Sequence, residues 1–282
     1  MCSQDTAFSQ KIEQLFVVES KPLVMGILNI TPDSFFDGGK YLAESEWLKH
    51  SHKMITEDVD IIDIGAYSTR PGAKDISETE ELKRLIPVII SVRKHFPEIL
   101  ISVDTFRTTV AEKAVDAGAN IINDISGGTM DDKMFDLVAR LQVPYVLMHI
   151  QGTPQTMQEN PYYENVTEEV FAYFKEKIAE LQKLGFEKII LDPGFGFGKN
   201  VEHNFQLLKD LEKFKSFGFP LLVGFSRKSM INKLLNTKPS ESLNGTTILN
   251  TIALQKGANI LRVHDVKEAK EVVKISDYLR NL

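Results

Sequence analysis

Polar residues recur at the ends of short apolar segments throughout this 282-residue sequence. A buried segment has no packing reason to end on a carboxylate, an amide or an imidazole, because such groups are costly to bury without a partner. Seven of the eight segments do so nevertheless, at Asn29, Asp63, Asp104, Asn123 with Asp124, His149, Asp192, and Arg262 with His264. One or two of these residues could cap a following helix, but capping does not explain seven. The pattern predicts a polar pocket where the segment ends converge.

The segments that carry these residues have the character of strands in a parallel sheet. They are continuous in Ile, Val and Leu rather than alternating, as expected for strands covered on both faces. The predicted strands are Leu23–Asn29, Ile61–Gly65, Leu100–Asp104, Ile121–Asp124, Tyr145–His149, Ile189–Asp192, Leu221–Gly224 and Ile260–His264.

Longer, helix-like segments alternate with these strands. They are Ser45–Glu57, Glu78–Lys94, Thr108–Ala117, Asp131–Leu141, Glu164–Leu184, Val201–Lys213, Asn244–Lys256 and Val266–Leu282. Eight strand–helix units in about 250 residues favour an α/β fold of the (β/α)8 TIM-barrel type, in which the strand ends converge on one face. A doubly wound open sheet is the alternative, although it usually has about five or six strands. We expect a single domain over residues 1–282, with an N-terminal extension, residues 1–22, over the N-terminal end of the barrel.

The composition argues against several classes of function. The 33 basic residues against 39 acidic residues leave a net charge of −6, which disfavours a nucleic-acid-binding protein. No apolar run approaches the roughly 18 residues of a membrane helix, and the start lacks the basic and apolar regions of a secretory signal. The one cysteine, Cys2, leaves no internal disulfide and fits a reducing compartment. The sequence therefore predicts a cytoplasmic protein that binds neither nucleic acid nor membrane.

The loop after the first strand has the residue types of a magnesium site. Asn29 ends the strand, and Asp33 and Asp37 follow in a stretch that also contains two glycines. Oxygen atoms of such residues, together with phosphate and water, suit Mg²⁺, and a long loop could close over a substrate. The other interpretation is an ordinary turn, because Pro-Asp-Ser and Asp-Gly-Gly are common turn sequences. The residues alone leave both interpretations open.

Basic residues follow the last two strands. Arg227 and Lys228 come after the seventh strand, and Arg262 and His264 end the eighth. Barrels often bind phosphate at these two loops, so four basic groups in an acidic protein predict an anionic substrate. Arg70, after the second strand, could bind the same anion but is a weaker signal. Lys228 has two further interpretations, a solvated helix start and a Schiff-base lysine of the aldolase type.

A glycine-rich loop from Asp192 to Lys199 follows the sixth strand. It does not match a nucleotide-binding loop, because its spacing is one residue short of the P-loop pattern and Asn200 stands where Ser or Thr is required. We interpret its glycines as letting the backbone approach a flat ligand, with Phe195 or Phe197 as an apolar wall.

Together these segments resemble those of the dihydropteroate synthases, pterin-binding enzymes of the folate pathway. The resemblance covers essentially the chain from Val24 to His264. The resemblance rests on seven motifs: MGILNITPDSFFDGG (25–39), DIGAYSTRPGA (63–73), SVDTF (102–106), NDISGG (123–128), LDPGFGFGK (191–199), GFSRKSM (224–230) and RVHD (262–265). No single motif identifies the family, but the seven motifs in this order are specific for it. One departure is Ala66-Tyr67, where the family more often has Gly-Glu; it could alter the motion of the second loop.

The resemblance implies a transferase reaction. The enzyme would join 6-hydroxymethyl-7,8-dihydropterin diphosphate to 4-aminobenzoate, releasing pyrophosphate and giving 7,8-dihydropteroate. Mg²⁺ would be the cofactor, with Asn29 as its protein ligand, and the family implies a homodimer formed through helices late in the barrel. No general base is strictly required, because the arylamine is neutral at pH 7 and already nucleophilic.

The resemblance also implies roles for individual residues. The pterin would be bound by Asp104, Asn123, Asp192 and Lys228, with Met148 beside the ring and Arg262 stacked over it. The diphosphate and its metal would be held by Asn29, Arg70, Arg262 and His264. The aminobenzoate would be bound by Phe35, Thr69, Pro71, Phe197 and Ser229, and Asp33 and Asp37 would belong to the substrate site. The expected catalytic residues are Arg70, Asp104, Asp192, Lys228, Arg262 and His264.

Three other functions are alternatives. A methyltetrahydrofolate-dependent methyltransferase could share the acidic pterin site, but it has no use for the basic residues after the last two strands. A noncatalytic pterin-binding paralogue would be expected to have a broken site, whereas the motifs are intact here. An aldolase would use Lys228 to form a Schiff base with a carbonyl substrate.

Overall fold

The computed structural model describes residues 3–17, 20–30, 40–67 and 75–282 of the chain. The strands within these ranges are β1 (Leu23–Asn29), β2 (Ile61–Gly65), β3 (Leu100–Asp104), β4 (Ile121–Asp124), β5 (Tyr145–Met148), β6 (Ile189–Asp192), β7 (Leu222–Val223) and β8 (Ile260–Val263). Each lies where the sequence predicts a strand, and no end differs by more than one residue.

These strands form one parallel sheet that closes into a barrel. The order along the sheet is β6-β5-β4-β3-β2-β1-β8-β7. A parallel bridge between Leu191 and Leu221 joins β6 to the residue before β7, so the two edges of the sheet meet. Consecutive strands are neighbours throughout, which confirms the predicted (β/α)8 barrel and excludes the doubly wound open sheet.

The helices follow the predicted pattern, although the helix predicted over 45–57 begins at Lys40 and the one predicted over 131–141 begins at Met134. Within the described ranges they are α1 (Ser3–Leu15), α2 (Lys40–Thr56), α3 (Glu78–His95), α4 (Thr108–Asp116), α5 (Met134–Leu141), α6 (Val166–Lys183), α7 (Val201–Lys209), α8 (Ser229–Leu235), α9 (Leu243–Gln255) and α10 (Val266–Arg280). The predicted helix over 201–213 ends at Lys209 and is followed by a 3₁₀ helix, Leu211–Phe217. The sequence pattern does not predict α1 or α8. In the part of the chain that is described, no helix has the length and apolar character needed to cross a membrane.

Local sequence explains where several of the helices begin. Ser77, Asn165 and Asn200 cap α3, α6 and α7, since each side chain accepts a hydrogen bond from a backbone N–H of the first turn. Asp104, by contrast, does not cap the helix that follows it, because the N-cap of α4 is Arg107. The Asp104 carboxylate is therefore available to partners in the barrel interior.

An apolar layer fills the N-terminal end of the barrel. Each strand contributes one residue to it: Met25, Ile61, Leu100, Ile121, Val146, Ile190, Leu222 and Ile260. Phe8, Ile12 and Leu15 of α1 pack against this layer. The N-terminal helix therefore covers this end of the barrel, and the opposite end is left for the functional groups.

Alternation of side chains along each strand decides what faces the interior above the apolar layer. Residues two positions apart point to the same side of a strand. Seven residues lie two or four positions after the apolar-layer residue of their own strand and therefore face the interior. They are Asn29, Asp63, Asp104, Asn123, Met148, Asp192 and Arg262. Asp124 lies one position out of step, and its carboxylate accepts instead from the Tyr145 hydroxyl and from Ser126. The barrel geometry thus selects one set of polar residues for the C-terminal interior.

Candidate active site at the C-terminal end of the barrel

Arg262 joins two carboxylates in this interior. Its Nε donates to Asp63 at 2.7 Å, and its Nη2 donates to Asp104 at 2.6 Å. Asp63 is fully buried, and the two acids lie on the neighbouring strands β2 and β3. The planar fork of an arginine can satisfy two carboxylates at once. One guanidinium therefore bridges two acids that would otherwise repel each other, and it offsets part of their combined negative charge.

This arrangement shifts the proton affinities of both partners. Burial raises the pKa of Asp104 to about 7, an effect that Arg262 opposes and the nearby Asp63 reinforces. Burial would lower the pKa of Arg262, but the two carboxylates hold it above its ordinary value. The arginine therefore stays charged, whereas the pKa of Asp104 lies near neutral pH.

Asp63 belongs to this group although the family resemblance assigns it no role. Its Oδ2 also accepts from Nδ2 of Asn123 at 3.2 Å, and its buried Oδ1 has no hydrogen-bond partner within the described ranges. A buried polar oxygen without a partner is unfavourable, so a donor from a ligand or water would be stabilised there. The signal that identifies Asp63 is its position two residues after Ile61 of the apolar layer.

Asp192 and Lys228 are a second acid and base in the site whose charges influence each other. Burial raises the pKa of Asp192, and the charge of Lys228 opposes this shift. Burial lowers the pKa of Lys228 to about 8, and Asp192 opposes that shift in turn. Asp192 accepts from the N–H of Gly194 at 2.8 Å, while Lys228 donates to the Phe195 carbonyl. Both charged groups are therefore held by the loop after β6.

The glycines of that loop allow close approaches within the protein itself. Gly194 and Gly198 have φ values of 72° and 61°, in the left-handed region that favours glycine. A Cβ on Gly194 would lie 1.8 Å from the carbonyl oxygen of His149, and one on Gly198 would lie 2.5 Å from that of Gln151. These two glycines therefore allow close contacts with the protein's own backbone, and the predicted approach of the loop to a flat ligand stays a prediction.

Packing distinguishes the two phenylalanines of the loop. Phe195 is fully buried in the core outside the barrel, with its ring centroid 4.5 Å from that of Phe225. Phe197 is partly buried and packs against Met148 and its neighbours at the C-terminal end of the barrel. Its ring centroid lies 4.7 Å from Nζ of Lys228. Of the two residues, Phe197 is the one that borders the site.

An apolar cluster lies beside the polar groups. It consists of the buried residues Phe106, Ile125 and Met148, with Tyr67, Ile150 and Phe197 packed against them. Tyr67, the departure from the family pattern, meets Phe106 edge-on with ring centroids 5.1 Å apart, and its hydroxyl accepts from Gln155 at 2.8 Å. The substitution therefore anchors the start of the second loop to the rim of the site. A surface of this kind suits an aromatic ligand.

The remaining described candidates lie at the same end of the barrel. Nδ1 of His264 lies 3.0 Å from Oγ of Ser226, which also accepts from the backbone N–H of His264 at 3.2 Å. Asn29 is half-buried at the end of β1. Ser229 is exposed and begins α8, directly after Lys228. These positions agree with a binding site that extends from the interior towards the rim.

Six residues of the expected site lie outside the described residues. They are Asp33, Phe35 and Asp37 of the first loop, and Thr69, Arg70 and Pro71 of the second. Their roles stay predictions that rest on the family resemblance.

The described ranges contain no cluster of three or more His, Cys, Asp or Glu side chains that could hold a metal ion. A metal enclosed by protein ligands alone is therefore not found in them. Mg²⁺, however, usually takes only one or two protein ligands and completes its coordination with substrate phosphate and water. The amide oxygen of Asn29, at the end of β1, is a ligand of that type, so the residues fit a substrate-dependent magnesium site.

Known proteins with similar sequences agree with this geometry. The family model for pterin binding enzymes matches residues 25–264. The dihydropteroate synthase of Escherichia coli strain K12 is 49% identical over 258 residues, which is 91% of each chain. That of Haemophilus influenzae is 44% identical over 91% of this chain and 93% of the relative.

Solved structures lead to the same family. The Yersinia pestis dihydropteroate synthase, solved with a sulfonamide drug complex, matches with a TM-score of 0.87 and 43% identity over 93% of this chain and 95% of that one. The Xanthomonas albilineans dihydropteroate synthase with 4-aminobenzoic acid matches with a TM-score of 0.86 and 38% identity, over 94% and 95% of the two chains. Site geometry, sequence identity and fold agree: the chain belongs to the pterin-binding enzymes and, among them, to the dihydropteroate synthases, which are transferases.

Proposed function

We propose that this chain condenses 6-hydroxymethyl-7,8-dihydropterin diphosphate with 4-aminobenzoate to give 7,8-dihydropteroate and pyrophosphate. The observation that carries the proposal is the grouping of the partly buried Asp104 and the buried Asp192 with the cations Arg262 and Lys228 in one barrel interior. The 49% identity to a dihydropteroate synthase supports the same reaction.

The acids of the barrel interior bind the pterin. A dihydropterin presents amide and amino N–H donors along one edge, and carboxylate and amide oxygens are their complements. Asp104, Asn123 and Asp192 offer such oxygens, and the Lys228 ammonium donates to the pterin carbonyl. The unpartnered Oδ1 of Asp63 offers one more acceptor in the same interior.

The apolar cluster receives the aromatic rings. Met148 is buried beside the polar interior, and Phe197 borders it, so the pterin and the aminobenzoate ring each find an apolar surface. The Xanthomonas albilineans enzyme, solved with 4-aminobenzoic acid, supports this second substrate. By resemblance, the aminobenzoate also contacts Ser229 and the first two loops.

The reaction breaks the C–O bond to the diphosphate and forms a C–N bond to the arylamine. Cleavage leaves negative charge on pyrophosphate, which Arg70, Arg262 and His264 stabilise. Asn29 would hold Mg²⁺, which would supply further neutralisation of the leaving group when bound.

Cleavage also leaves positive charge on the pterin methylene group. The carboxylates of Asp104 and Asp192 stabilise this cation. The arylamine nitrogen then attacks the methylene carbon and releases its proton to solvent. No side chain has to act as a general base, because the attacking amine is neutral at pH 7.

We further propose that the chain forms a cytoplasmic homodimer. Exposed apolar side chains lie on three helices late in the barrel: Leu234 and Leu235 of α8, Ile248 of α9, and Ile275, Tyr278 and Leu279 of α10. Helix α9 packs against both α8 and α10, so these side chains belong to adjoining helices. Apolar patches of this kind are typical of protein interfaces. The single cysteine suits a reducing compartment.

Product analysis tests the proposed reaction directly. The purified chain is incubated with the dihydropterin diphosphate and Mg²⁺, with and without 4-aminobenzoate, while pyrophosphate and dihydropteroate are quantified. We expect release of pyrophosphate matched by formation of dihydropteroate. A sulfonamide should raise the KM for 4-aminobenzoate and leave kcat unchanged, in line with the sulfonamide complex of the Yersinia pestis enzyme.

Other outcomes separate the alternatives. Pterin binding without turnover would favour the noncatalytic paralogue or the methyltransferase, and absence of pterin binding would overturn the proposal. Borohydride trapping of a carbonyl substrate in the wild type, and its loss in Lys228→Met, would support the aldolase instead.

A further inference from the structure

Lys199, the last residue of the loop after β6, is buried although the proposed reaction has no use for its amine. Its exposure is 3%. Lysine is almost never buried to this extent unless its ammonium is paired. Its hydrogen bonds within the described ranges, however, go to one imidazole and to backbone carbonyls and not to a carboxylate. Burial lowers the pKa of Lys199 more than the negative charge of Asp192 raises it, so the energetic cost of burial requires a further explanation.

Three acceptors surround Nζ of Lys199 at the same distance. They are Nδ1 of His149 and the carbonyl oxygens of Gly194 and Phe197, each 3.0 Å away. An ammonium group has three N–H donors and no acceptor, so each of these three acceptors can receive one hydrogen bond, while the carbonyl oxygen of His149 lies further away, at 3.5 Å. Burial lowers the pKa of His149 well below its ordinary value, which keeps the ring neutral and able to accept at Nδ1. Burial likewise lowers the pKa of Lys199, to about 7.

Other side chains hold further carbonyls of the same loop. The carbonyl of Gly196 accepts from Gln158 at 2.8 Å, and that of Gly198 accepts from the hydroxyl of Tyr163 at 2.9 Å. Lys199 differs from these donors because it binds two carbonyls at once and joins both to His149, which follows β5. The amine therefore links the loop to the barrel.

The restrained loop carries groups that contact Lys228. The carbonyl of Phe195 accepts from Lys228, and the ring of Phe197 lies 4.7 Å from its Nζ. Since Lys199 holds the carbonyl of Phe197 itself, loss of the Lys199 amine would free the residue that borders the apolar cluster.

We propose that Lys199 is a positioning residue, which holds the carbonyls of Gly194 and Phe197 to His149 and thereby fixes the Phe197 ring where the arylamine substrate binds. The substrate part of this inference rests on the proposed function. The restraint on the loop does not, so the two parts are tested separately.

The test compares three full-length variants with the wild type. Lys199→Met keeps the length of the side chain and removes all three donors, whereas Lys199→Gln keeps two N–H donors. Lys188→Met is the matched control, because Lys188 also donates to a backbone carbonyl, that of Gln142 at 2.8 Å, but precedes β6 at the opposite end of the barrel. The melting temperature reports whether each variant retains its fold. The affinity for an unreactive pterin reports whether the barrel interior still binds the pterin.

Hydrogen–deuterium exchange tests the loop without reference to activity. The amides of Gly194, Gly196 and Phe197 are hydrogen-bonded within this region and report its order. We expect a peptide spanning residues 193–200 to exchange faster in Lys199→Met than in the wild type and Lys188→Met, while peptides covering the other strand ends keep their rates. Unchanged exchange in this peptide would overturn the proposal.

Steady-state kinetics tests the substrate part. In Lys199→Met, the KM for 4-aminobenzoate should rise roughly ten- to a hundredfold, as expected for a misplaced binding group, with pterin affinity retained. Lys199→Gln should lie between this variant and the wild type, and it replaces Lys199→Met if that variant does not fold. Equal losses of pterin affinity and melting temperature, with no selective change in KM, would indicate a merely structural lysine. An inactive wild type would contradict the proposed function and leave the exchange result valid.

Discussion

Arg262 donates to Asp104 at 2.6 Å although 158 residues separate the two in the chain. The contact joins β8 to β3, which are separated in the sheet by β1 and β2, so it spans the barrel interior. It connects the group proposed to stabilise the leaving pyrophosphate with an acid proposed to bind the pterin. A change in the charge of either residue is therefore expected to affect both pterin binding and stabilisation of the leaving group.

Replacing Arg262 with Ala should lower kcat/KM by roughly 30- to 1,000-fold, since loss of a preorganised charge contact costs about 2–4 kcal/mol in the transition state. Steady-state kinetics at fixed pH and ionic strength measures the effect. Arg140→Ala is a suitable control, because Arg140 forms a 2.7 Å ion pair with Glu112 at the exposed surface. An Arg262→Ala enzyme with unchanged kcat/KM would show that Arg262 is only a cation at the end of a strand.

Asp192→Asn should weaken pterin binding. The carboxylate is buried close to Lys228 and offers charged acceptors to the pterin edge. Hydrogen bonds to a charged group contribute about 1.5–3 kcal/mol, so the Kd for a pterin should rise roughly 10- to 150-fold. Calorimetric titration with an unreactive pterin provides the measurement, with the exposed Asp136→Asn as the control. Equal affinities of the Asp192 variant and the wild type would remove Asp192 from the pterin site.

Pterin affinity should fall as the pH decreases below about 7. Burial raises the pKa of Asp104 to about 7, so the carboxylate is ionised above this pH and progressively protonated below it. If the pterin binds the ionised form, each unit of decrease below that value costs about tenfold in affinity. Titrations from pH 5.5 to 8.5 should show this slope in the wild type and a flatter profile in Asp104→Asn. A wild-type profile with no break near neutral pH would contradict the role of Asp104.

Removal of divalent metal should abolish pyrophosphate release. Mg²⁺ bound by Asn29 and the diphosphate would neutralise the leaving group, so EDTA should stop the reaction and excess MgCl₂ should restore it. Asn29→Ala should raise the Mg²⁺ concentration required for half-maximal activity and weaken Mg²⁺ binding to the enzyme–pyrophosphate complex. Full activity in EDTA would exclude a metal from the reaction, and an unchanged Mg²⁺ requirement in the variant would exclude Asn29 as its ligand.

A charge on the apolar face of α10 should prevent dimer formation. Ile275 and Tyr278 are 64% and 69% exposed, and they lie one turn apart on the helix. The double change to Glu would bury two carboxylates in the interface, so light scattering after size exclusion should report half the wild-type mass. Ile90→Glu on α3, which is 52% exposed, should not alter the mass. A wild type that is monomeric at high concentration would contradict the proposed homodimer.

The strands and most helices could be predicted from the sequence because their signals are local. Continuous apolar runs identify buried strands, and amphipathic stretches between them imply the crossovers of a parallel sheet. Helix α8 gives no such signal, because seven residues are too short for a reliable period. The polar strand ends also pointed to the correct face of the barrel, since all parallel strands end there.

Local sequence patterns are therefore enough to predict the architecture, the face of the barrel on which the polar strand ends lie, and the acidic and basic residue types at that face. Which of these side chains contact one another becomes known only from the tertiary structure. Strand alternation brings Asp63 into the interior and leaves Asp124 outside it, and packing directs Phe195 to the core and Phe197 to the site. Likewise, only the folded loop reveals that Lys199 turns back to bind its own backbone. Alternation along a strand is a local pattern, but which face of the strand is interior, and which groups meet there, depends on segments that are remote in the chain.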